Sequence, residues 1–132
     1  IKTMNIEQFL MQNEESTSTE LIKDVVVSDR FKDTEGNFIP FKIKSITRQR
    51  LTELSIQSEK IGIALDYLLI EESCTQPSFR SIELQNQYKV KDASKLIDKV
   101  LLPGEVIRLS KEILKLNKLD KSIDDMILEA KK

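Results

Sequence analysis

The chain has 132 residues, of which 39% are hydrophobic, 33% charged and 5% aromatic. This length and apolar content predict one domain with a single modest core, and the net charge of −1 argues against a dedicated nucleic-acid binder. The single cysteine, Cys74, excludes an internal disulfide and favours a reducing compartment. Because no apolar run approaches the ~18 residues of a membrane span and no signal-peptide pattern is present, we expect a soluble intracellular protein.

The first predicted element is a short helix within residues 1–12. Asn5 has the properties of its N-cap, and Gln8 completes a capping box. The apolar stripe of this helix contains Ile6, Phe9 and Leu10. Residues 13–24 are polar and predict a flexible linker. We therefore expect a small tethered helix that docks either on its own core or on a partner.

Residues 25–46 predict a β-hairpin in a chain that otherwise has the patterns of helices. Its first strand would contain the β-branched residues Val25, Val26 and Val27. Residues 33–37 form a turn in which Gly36 and Asn37 can take a positive φ. On the return strand, alternation separates apolar from charged side chains, with Phe41 and Ile43 on one face and Lys42 and Lys44 on the other. Since a two-stranded hairpin is marginal alone, it must lean on helices or on a partner.

Basic residues are concentrated in this hairpin. Residues 30–50 carry six bases and two acids, whereas residues 1–29 carry two bases and six acids. Cations beside aromatic rings bind phosphates and bases, so this is the best nucleic-acid candidate in the chain. The cations are Arg30, Lys32, Lys42, Lys44, Arg48 and Arg50. The alternatives are a strand edge protected by lysines and a protein-binding surface.

Residues 47–132 predict a helical subdomain with short connections. The expected helix starts are Thr47, Ile61, Ser78 or Ser81, Asp92 or Ser94, Pro103, and Asp120 or Ser122. Pro77 ends the second of these helices by Gln76, and Asn117 can end the fifth by adopting a left-handed conformation. The apolar stripes include Leu51, Leu54, Ile61, Ala64, Leu65, Leu68, Leu69, Ile82, Leu84, Tyr88, Leu96, Ile97, Val106, Leu109 and Ile113.

These elements predict a mainly α protein of the α+β class, with a single domain over residues 1–132. Its N-terminal β-hairpin would pack on a compact bundle of about five to six short helices.

Sites for catalysis are nearly absent from the sequence. There is no histidine and there are only three glycines, so His-based acid–base chemistry, His metal ligands and a glycine-rich phosphate loop are excluded. Cys74 has no His partner and is expected to be a packing residue or an unreactive surface thiol. The acid pairs Glu71–Glu72 and Asp124–Asp125 diverge by about 100° on a helix, so neither converges on a metal. We predict no catalytic, metal-binding or cofactor-binding residue, and no enzyme.

Several segments, in order, resemble the XkdN-like phage tail assembly chaperone family. They are Val-Val-Val-Ser-Asp-Arg-Phe-Lys-Asp at 25–33 with Glu-Gly-Asn at 35–37 and Phe-Lys-Ile at 41–43, Leu-Gln-Asn-Gln-Tyr at 84–88, Leu-Leu-Pro-Gly-Glu at 101–105, and Ile-Asp-Asp-Met-Ile-Leu-Glu-Ala-Lys at 123–131. Lys89 and Lys118 stand where the family pattern has helix-terminating glycines, which predicts that both C-caps are rebuilt.

The resemblance implies a non-enzymatic, ATP-independent assembly factor of a tailed phage or prophage. Such chaperones coat the long helical tape-measure protein, keep it soluble, help to recruit tail-tube subunits and leave before the virion matures. The implied partners are the tape-measure and tail-tube proteins, with self-association left open and no membrane contact. The implied location is the bacterial cytoplasm. A tape measure exposes long apolar stripes that a small helical protein can cover.

Two features are predicted to face a partner. One is the set of hairpin aromatics Phe31, Phe38 and Phe41, and the other is the tethered helix around Phe9 and Leu10. The alternative is a small nucleic-acid-binding or regulatory protein that uses the basic hairpin face.

Overall fold

The computed structural model describes residues 4–15, 17 and 20–119, and this part of the chain forms six helices and a three-stranded antiparallel sheet. The elements in chain order are α1 (Ile6–Gln12), β1 (Ile22–Val25), β2 (Phe41–Lys44), α2 (Arg48–Ile61), α3 (Leu65–Ser73), β3 (Cys74–Gln76), α4 (Ile82–Gln87), α5 (Ala93–Val100) and α6 (Pro103–Leu116). The α+β class, with an N-terminal hairpin on short helices, is confirmed. The helix predicted near Asp120 or Ser122 lies outside the described residues.

The sheet has the order β1-β2-β3, so β2 is its central strand. On β2, Phe41 and Ile43 are buried and the two lysines are exposed, as alternation predicts. The predicted linker over residues 13–24 is wrong at its end, because β1 begins at Ile22. The register that sets Val25 opposite Phe41 also pairs residues 22–24 with residues 42–44, and this draws Ile22, Lys23 and Asp24 into the strand.

The third strand and two helix boundaries differ from the sequence prediction. Gly62 has a φ of 72° and its N–H donates to the Ser58 carbonyl at 3.0 Å, so α2 ends where the sequence predicts the start of a new helix. Ile61 therefore belongs to α2 and is half-exposed, and α3 begins at Leu65. The predicted helix up to Gln76 stops at Ser73, because Cys74–Gln76 pairs with β2 as β3.

The predicted N-cap residues are confirmed for the four helices whose cap side chain accepts a hydrogen bond from a backbone amide of the first turn. Asn5 Oδ1 accepts from Gln8 N–H at 2.8 Å, and Gln8 Oε1 accepts from Asn5 N–H at 3.1 Å, which completes the capping box. Thr47, Ser81 and Asp92 cap α2, α4 and α5 in the same way. Pro103 opens α6 at its first position, where its missing amide costs nothing.

Two helices end at lysines that have a left-handed backbone conformation. Lys89 and Lys118 each have a φ of 59°, while Asn117 has a φ of −91° and Asn37 has no positive φ, so the predictions for both asparagines are wrong. The amide after each lysine donates back five residues along the chain, from Val90 to Gln85 at 3.0 Å and from Leu119 to Leu114 at 2.9 Å. These are Schellman-type bonds. The two C-caps are therefore kept with lysine in the glycine position, and the prediction of rebuilt caps is wrong.

Replacing Lys89 or Lys118 with Gly is expected to raise the free energy of unfolding by about 0.5–1 kcal/mol, because relief of left-handed strain exceeds the added entropy of the unfolded chain. Urea unfolding with an unchanged m-value measures the gain. Lys91→Gly is the matched control, since Lys91 is exposed and has no positive φ. An equal gain from Lys91→Gly would show that strain is not the cause.

The core has two parts. The larger joins the inner face of the sheet to α3, α5 and α6 through residues that include Val27, Ile43, Ile70, Phe79, Leu96, Ile97, Leu109 and Ile113. The smaller lies between α2 and α3 and consists of Leu54, Leu68 and Leu69. The stripe residues Ala64, Ile82 and Tyr88 are exposed, contrary to prediction, because Ala64 precedes α3 and the six-residue α4 buries none of its residues. No helix of the described residues is long and apolar enough to cross a lipid bilayer.

Candidate partner-binding surfaces

The loop between β1 and β2 is fastened to the start of α6 by an ion pair. Arg30 Nε donates to Glu105 Oε2 at 2.9 Å, and Arg30 Nη2 donates to Glu105 Oε1 at 2.5 Å. The same Nη2 also donates to the Val100 carbonyl at 2.9 Å. The Glu105 side chain is 8% exposed and the Arg30 side chain 44% exposed. We call this contact the clasp, and it fixes the base of the loop against the helical layer.

Glu105 also completes the first turn of α6, since its Oε1 accepts from the Leu102 amide at 2.7 Å. The hydrogen bond from Arg30, with smaller contributions from the Leu102 amide and the Ser28 hydroxyl, lowers the Glu105 pKa to about 2 against the opposing effect of burial. A carboxyl with such a pKa stays ionised at neutral pH, so it is suited to hold a cation and not to exchange a proton.

The three hairpin aromatics have different environments. Phe41 is 5% exposed and belongs to the core, which removes it from the predicted partner-facing set. Phe31 is partly buried against that core, with its ring centre 5.2 Å from that of Phe41 and the Arg30 guanidinium 4.9 Å from its own ring centre. Phe38 is 51% exposed and stays available to a partner. Alternation correctly predicts that Phe41 and Ile43 share a face, and the fold turns that face inward.

The hairpin tip is ordered by its own hydrogen bonds. Asp33 Oδ1 accepts from the amides of Glu35 and Asn37, both at 2.9 Å, and Gly36 has a φ of 87°, so the predicted turn is confirmed. Lys32 pairs with Phe38 as an isolated bridge, and its ammonium lies 5.5 Å from the Phe38 ring centre. Ile39, which the sequence analysis does not single out, is 47% exposed beside this ring.

Helix α1 exposes its whole apolar stripe. Phe9 is 41% exposed, Leu10 48% and Ile6 71%, and no residue of α1 is buried. A helix of seven residues is too short to be stable alone, and a capping box adds only part of the missing stability. Helix α1 is therefore capped at its N-terminus but not covered, and its apolar stripe is available to a partner.

Two of the six hairpin cations are engaged in ion pairs. Arg30 forms the clasp, and Arg50 binds Glu72 and also Glu53, the latter at 2.9 Å. The other four are exposed side chains: Lys32, Lys42, Lys44 and Arg48. The basic surface open to a phosphate backbone is thus smaller than the sequence suggests.

The acid pair Glu71–Glu72 is structural, as expected. Arg80 binds Glu71 at 3.2 Å and Glu72 at 2.8 Å. Burial alone would raise the pKa of Glu72, but the hydrogen bonds from Arg50 and Arg80 outweigh it and lower the pKa. The pair Asp124–Asp125 lies outside the described residues.

Cys74 packs in the core with 3% of its surface exposed. Burial raises the pKa of its thiol to about 12, so the thiolate that a nucleophile or metal ligand requires is not formed at neutral pH. Within residues 4–15, 17 and 20–119, no group of three or more acidic or cysteine side chains is arranged to hold a metal ion.

These features define a class of small α+β domain. Its strong ion pairs hold parts of the fold together, and exposed apolar side chains lie on a short N-terminal helix and on a hairpin tip. The chain belongs to the phage XkdN-like tail assembly chaperone family, whose sequence profile matches residues 6–131. Two of the segments that carry the resemblance, residues 25–33 and 101–105, meet in the clasp between Arg30 and Glu105.

Two relatives come from Bacillus subtilis (strain 168). The chain is 32% identical to the phage-like element PBSX protein XkdN over 121 residues, which cover 81% of this chain and 82% of the relative. It is 29% identical to the uncharacterized protein YqbN over 122 residues, which cover 82% of each. The crystal structure of YqbN resembles the fold with a TM-score of 0.71 at 27% identity, covering 89% of this chain and 98% of that one.

Sequence reasoning misses the clasp although both of its residues stand in quoted segments. Arg30 is assigned to the basic hairpin and Glu105 only to the start of a helix. The signal that was present is local: a Glu two positions after a helix-opening Pro occupies the capping-box position. Its partner is 75 residues away in sequence, which no spacing rule reaches.

Proposed function

We propose that the protein is a non-enzymatic tail assembly chaperone of a phage or prophage that binds the tape-measure protein and assists assembly of the tail tube. Family membership supports the coarse assignment. The observation that carries the finer one is α1, a helix with an N-terminal capping box, an exposed apolar stripe and no buried residue. Such a helix suits a partner that is itself helical and apolar on one side.

The hairpin tip supplies a second contact. Phe38 and Ile39 are about half-exposed, and the clasp and the Asp33 turn hold them in place. Ordering the tip in advance reduces the entropy that binding must overcome. Two small apolar contacts, neither of them tight, fit a chaperone that covers a tape measure in the bacterial cytoplasm and is later displaced by polymerising tube protein.

Co-expression with this protein is expected to raise the soluble yield of a tape-measure fragment several-fold, because the chaperone covers apolar stripes that otherwise aggregate. Phe9→Ser with Leu10→Ser, and separately Phe38→Ser, should remove most of that gain, since each replaces an apolar contact on a surface that does not support the fold. Soluble and pelleted fragment are measured after cell lysis.

Ile82→Ser is the matched control, because Ile82 is 72% exposed on α4, away from both surfaces. It should keep the full gain in soluble yield. An unrelated acidic protein provides the baseline. If the intact chaperone gives no more soluble fragment than that protein, the proposed function fails.

A further inference from the structure

We propose that the protein self-associates by exchanging arms, with α1 of one copy docking on the outer face of the sheet of a second copy. The arm is residues 4–15, which contain α1. The outer sheet face consists of Ile22, Asp24, Lys32, Phe38, Lys42 and Lys44. This association uses the same stripe of α1 and the same Phe38 as the proposed tape-measure contact, so one excludes the other, but it forms without tape-measure protein and is tested without it.

The arm combines apolar side chains with unbalanced negative charge. Between residues 4 and 15 there are three glutamates and no lysine or arginine. The apolar stripe of α1 is extended at its ends by Met4, 50% exposed, and Met11, 79% exposed. The matching surface must therefore offer apolar contact area surrounded by cations.

The outer sheet face has this composition. The register sets Ile22 opposite Lys44 and Asp24 opposite Lys42, on the side of the sheet away from the buried Phe41. Lys32 and Phe38 lie opposite each other in an isolated bridge beyond the end of β2, and Phe31, next to Lys32, packs against Phe41 on the core side, so Lys32 and Phe38 face the outer side. All six side chains of the face are exposed. Three cations against one carboxylate, with Ile22 and Phe38 between them, complement the acidic, apolar arm.

One end of this face opens into a groove that can receive an arm side chain. Its volume is about 370 Å³, and Leu21, Ile22, Lys44 and Ile46 are among its lining residues. The aliphatic side chains supply apolar contact for a ring such as that of Phe9. Two cations, Lys44 and Arg50, and two carboxylates, Glu20 and Glu72, also line the groove. The groove gives the exposed sheet face a defined anchor point.

A second copy is the occupant that the exposure of α1 favours. In the folded chain α1 buries none of its residues, so a copy's own α1 leaves the outer sheet face uncovered. The arm of a second copy can occupy that face, and reciprocal exchange between two copies gives two identical contacts that close into a dimer.

Sedimentation of the full chain over a range of concentrations tests the proposal. We expect a dimer at low salt whose dissociation constant rises at high salt as the charges are screened. Phe9→Ser with Leu10→Ser, and separately Lys42→Glu with Lys44→Glu, should each weaken the dimer by tenfold or more. Lys95→Glu with Lys99→Glu is the control, because it makes the same charge change on exposed residues of α5 and should leave the dimer unchanged.

Mixing the two weakened variants identifies the occupant. The Phe9→Ser/Leu10→Ser copy keeps an intact face, and the Lys42→Glu/Lys44→Glu copy keeps an intact arm, so together they should form a dimer that neither forms alone. A chain that stays monomeric at every concentration would overturn the proposal. So would a dimer that both variant pairs leave intact, or failure of the mixture to associate, which would place the arm on its own copy or on another partner.

Discussion

Glu105→Gln is expected to lower the free energy of unfolding at neutral pH by about 2–3 kcal/mol, because a pKa lowered from 4.5 to about 2 corresponds to slightly more than about 3 kcal/mol and solvent around the half-exposed Arg30 screens part of it. Because the folded-state pKa is the depressed one, this stabilisation is present above pH 4.5 and is lost as the pH falls from 4.5 to about 2. Glutamine keeps the shape and an acceptor for the Leu102 amide but loses the charge that holds Arg30. The variant should therefore lose part of the wild-type dependence of stability on pH in that interval.

Urea unfolding at neutral pH and at several acidic values measures both effects. Glu83→Gln is the control, since Glu83 is an exposed residue of α4, and its stability should stay within about 0.5 kcal/mol of wild type. If the curves of Glu105→Gln and wild type run parallel down to pH 2, the clasp is not the source of the acid sensitivity.

Phe79→Ala is expected to lower the free energy of unfolding by about 3–5 kcal/mol, because it empties the space of a fully buried ring. Phe79 has no exposed surface and lies in the turn between β3 and α4, where its carbonyl accepts from Gln85 Nε2 at 2.8 Å. Removing the ring should also loosen α4, which buries no residue of its own.

The matched control for this change is Phe38→Ala. Phe38 is the same residue type but 51% exposed, so its removal should change stability by no more than about 0.5 kcal/mol. Thermal or urea unfolding of both variants decides the comparison. If the two variants lose a similar amount of unfolding free energy, Phe79 does not stabilise the core as its burial indicates.

The sequence predicts those parts of the fold that depend on neighbouring residues. Thr47, Asp92 and Pro103 mark helix starts because capping and the first helical turn involve only the next few positions. The alternation on β2 is local in the same sense, and it separates Ile43 from its lysine neighbours correctly. The same local patterns do not predict the exposure of Phe38 or Phe9, because an apolar stripe alone does not distinguish a core contact from a partner contact.

Other features depend on partners that are distant in sequence. Cys74–Gln76 becomes a strand only because β2 lies beside it, and three residues carry no period of their own. Phe79 has no periodic neighbours, since it lies in a turn. Arg30 pairs with Glu105, and Phe41 is buried, only in the assembled fold. From composition alone, Arg30 is therefore assigned to a phosphate-binding surface, whereas in the fold it forms the clasp.

Because α1 has no buried residue, selection for folding and selection for binding act on different residues of this protein. Substitutions on its stripe remove no core contact, so each should shift stability by only a few tenths of a kcal/mol. Selection on Phe9 or Leu10 can therefore follow the surface that α1 contacts without being limited by folding. Arg30 and Glu105 face the opposite situation, because a change in one leaves the other without its partner. The sequence of the arm can therefore change as its binding surface changes, while the residues that hold the rest of the domain together are kept.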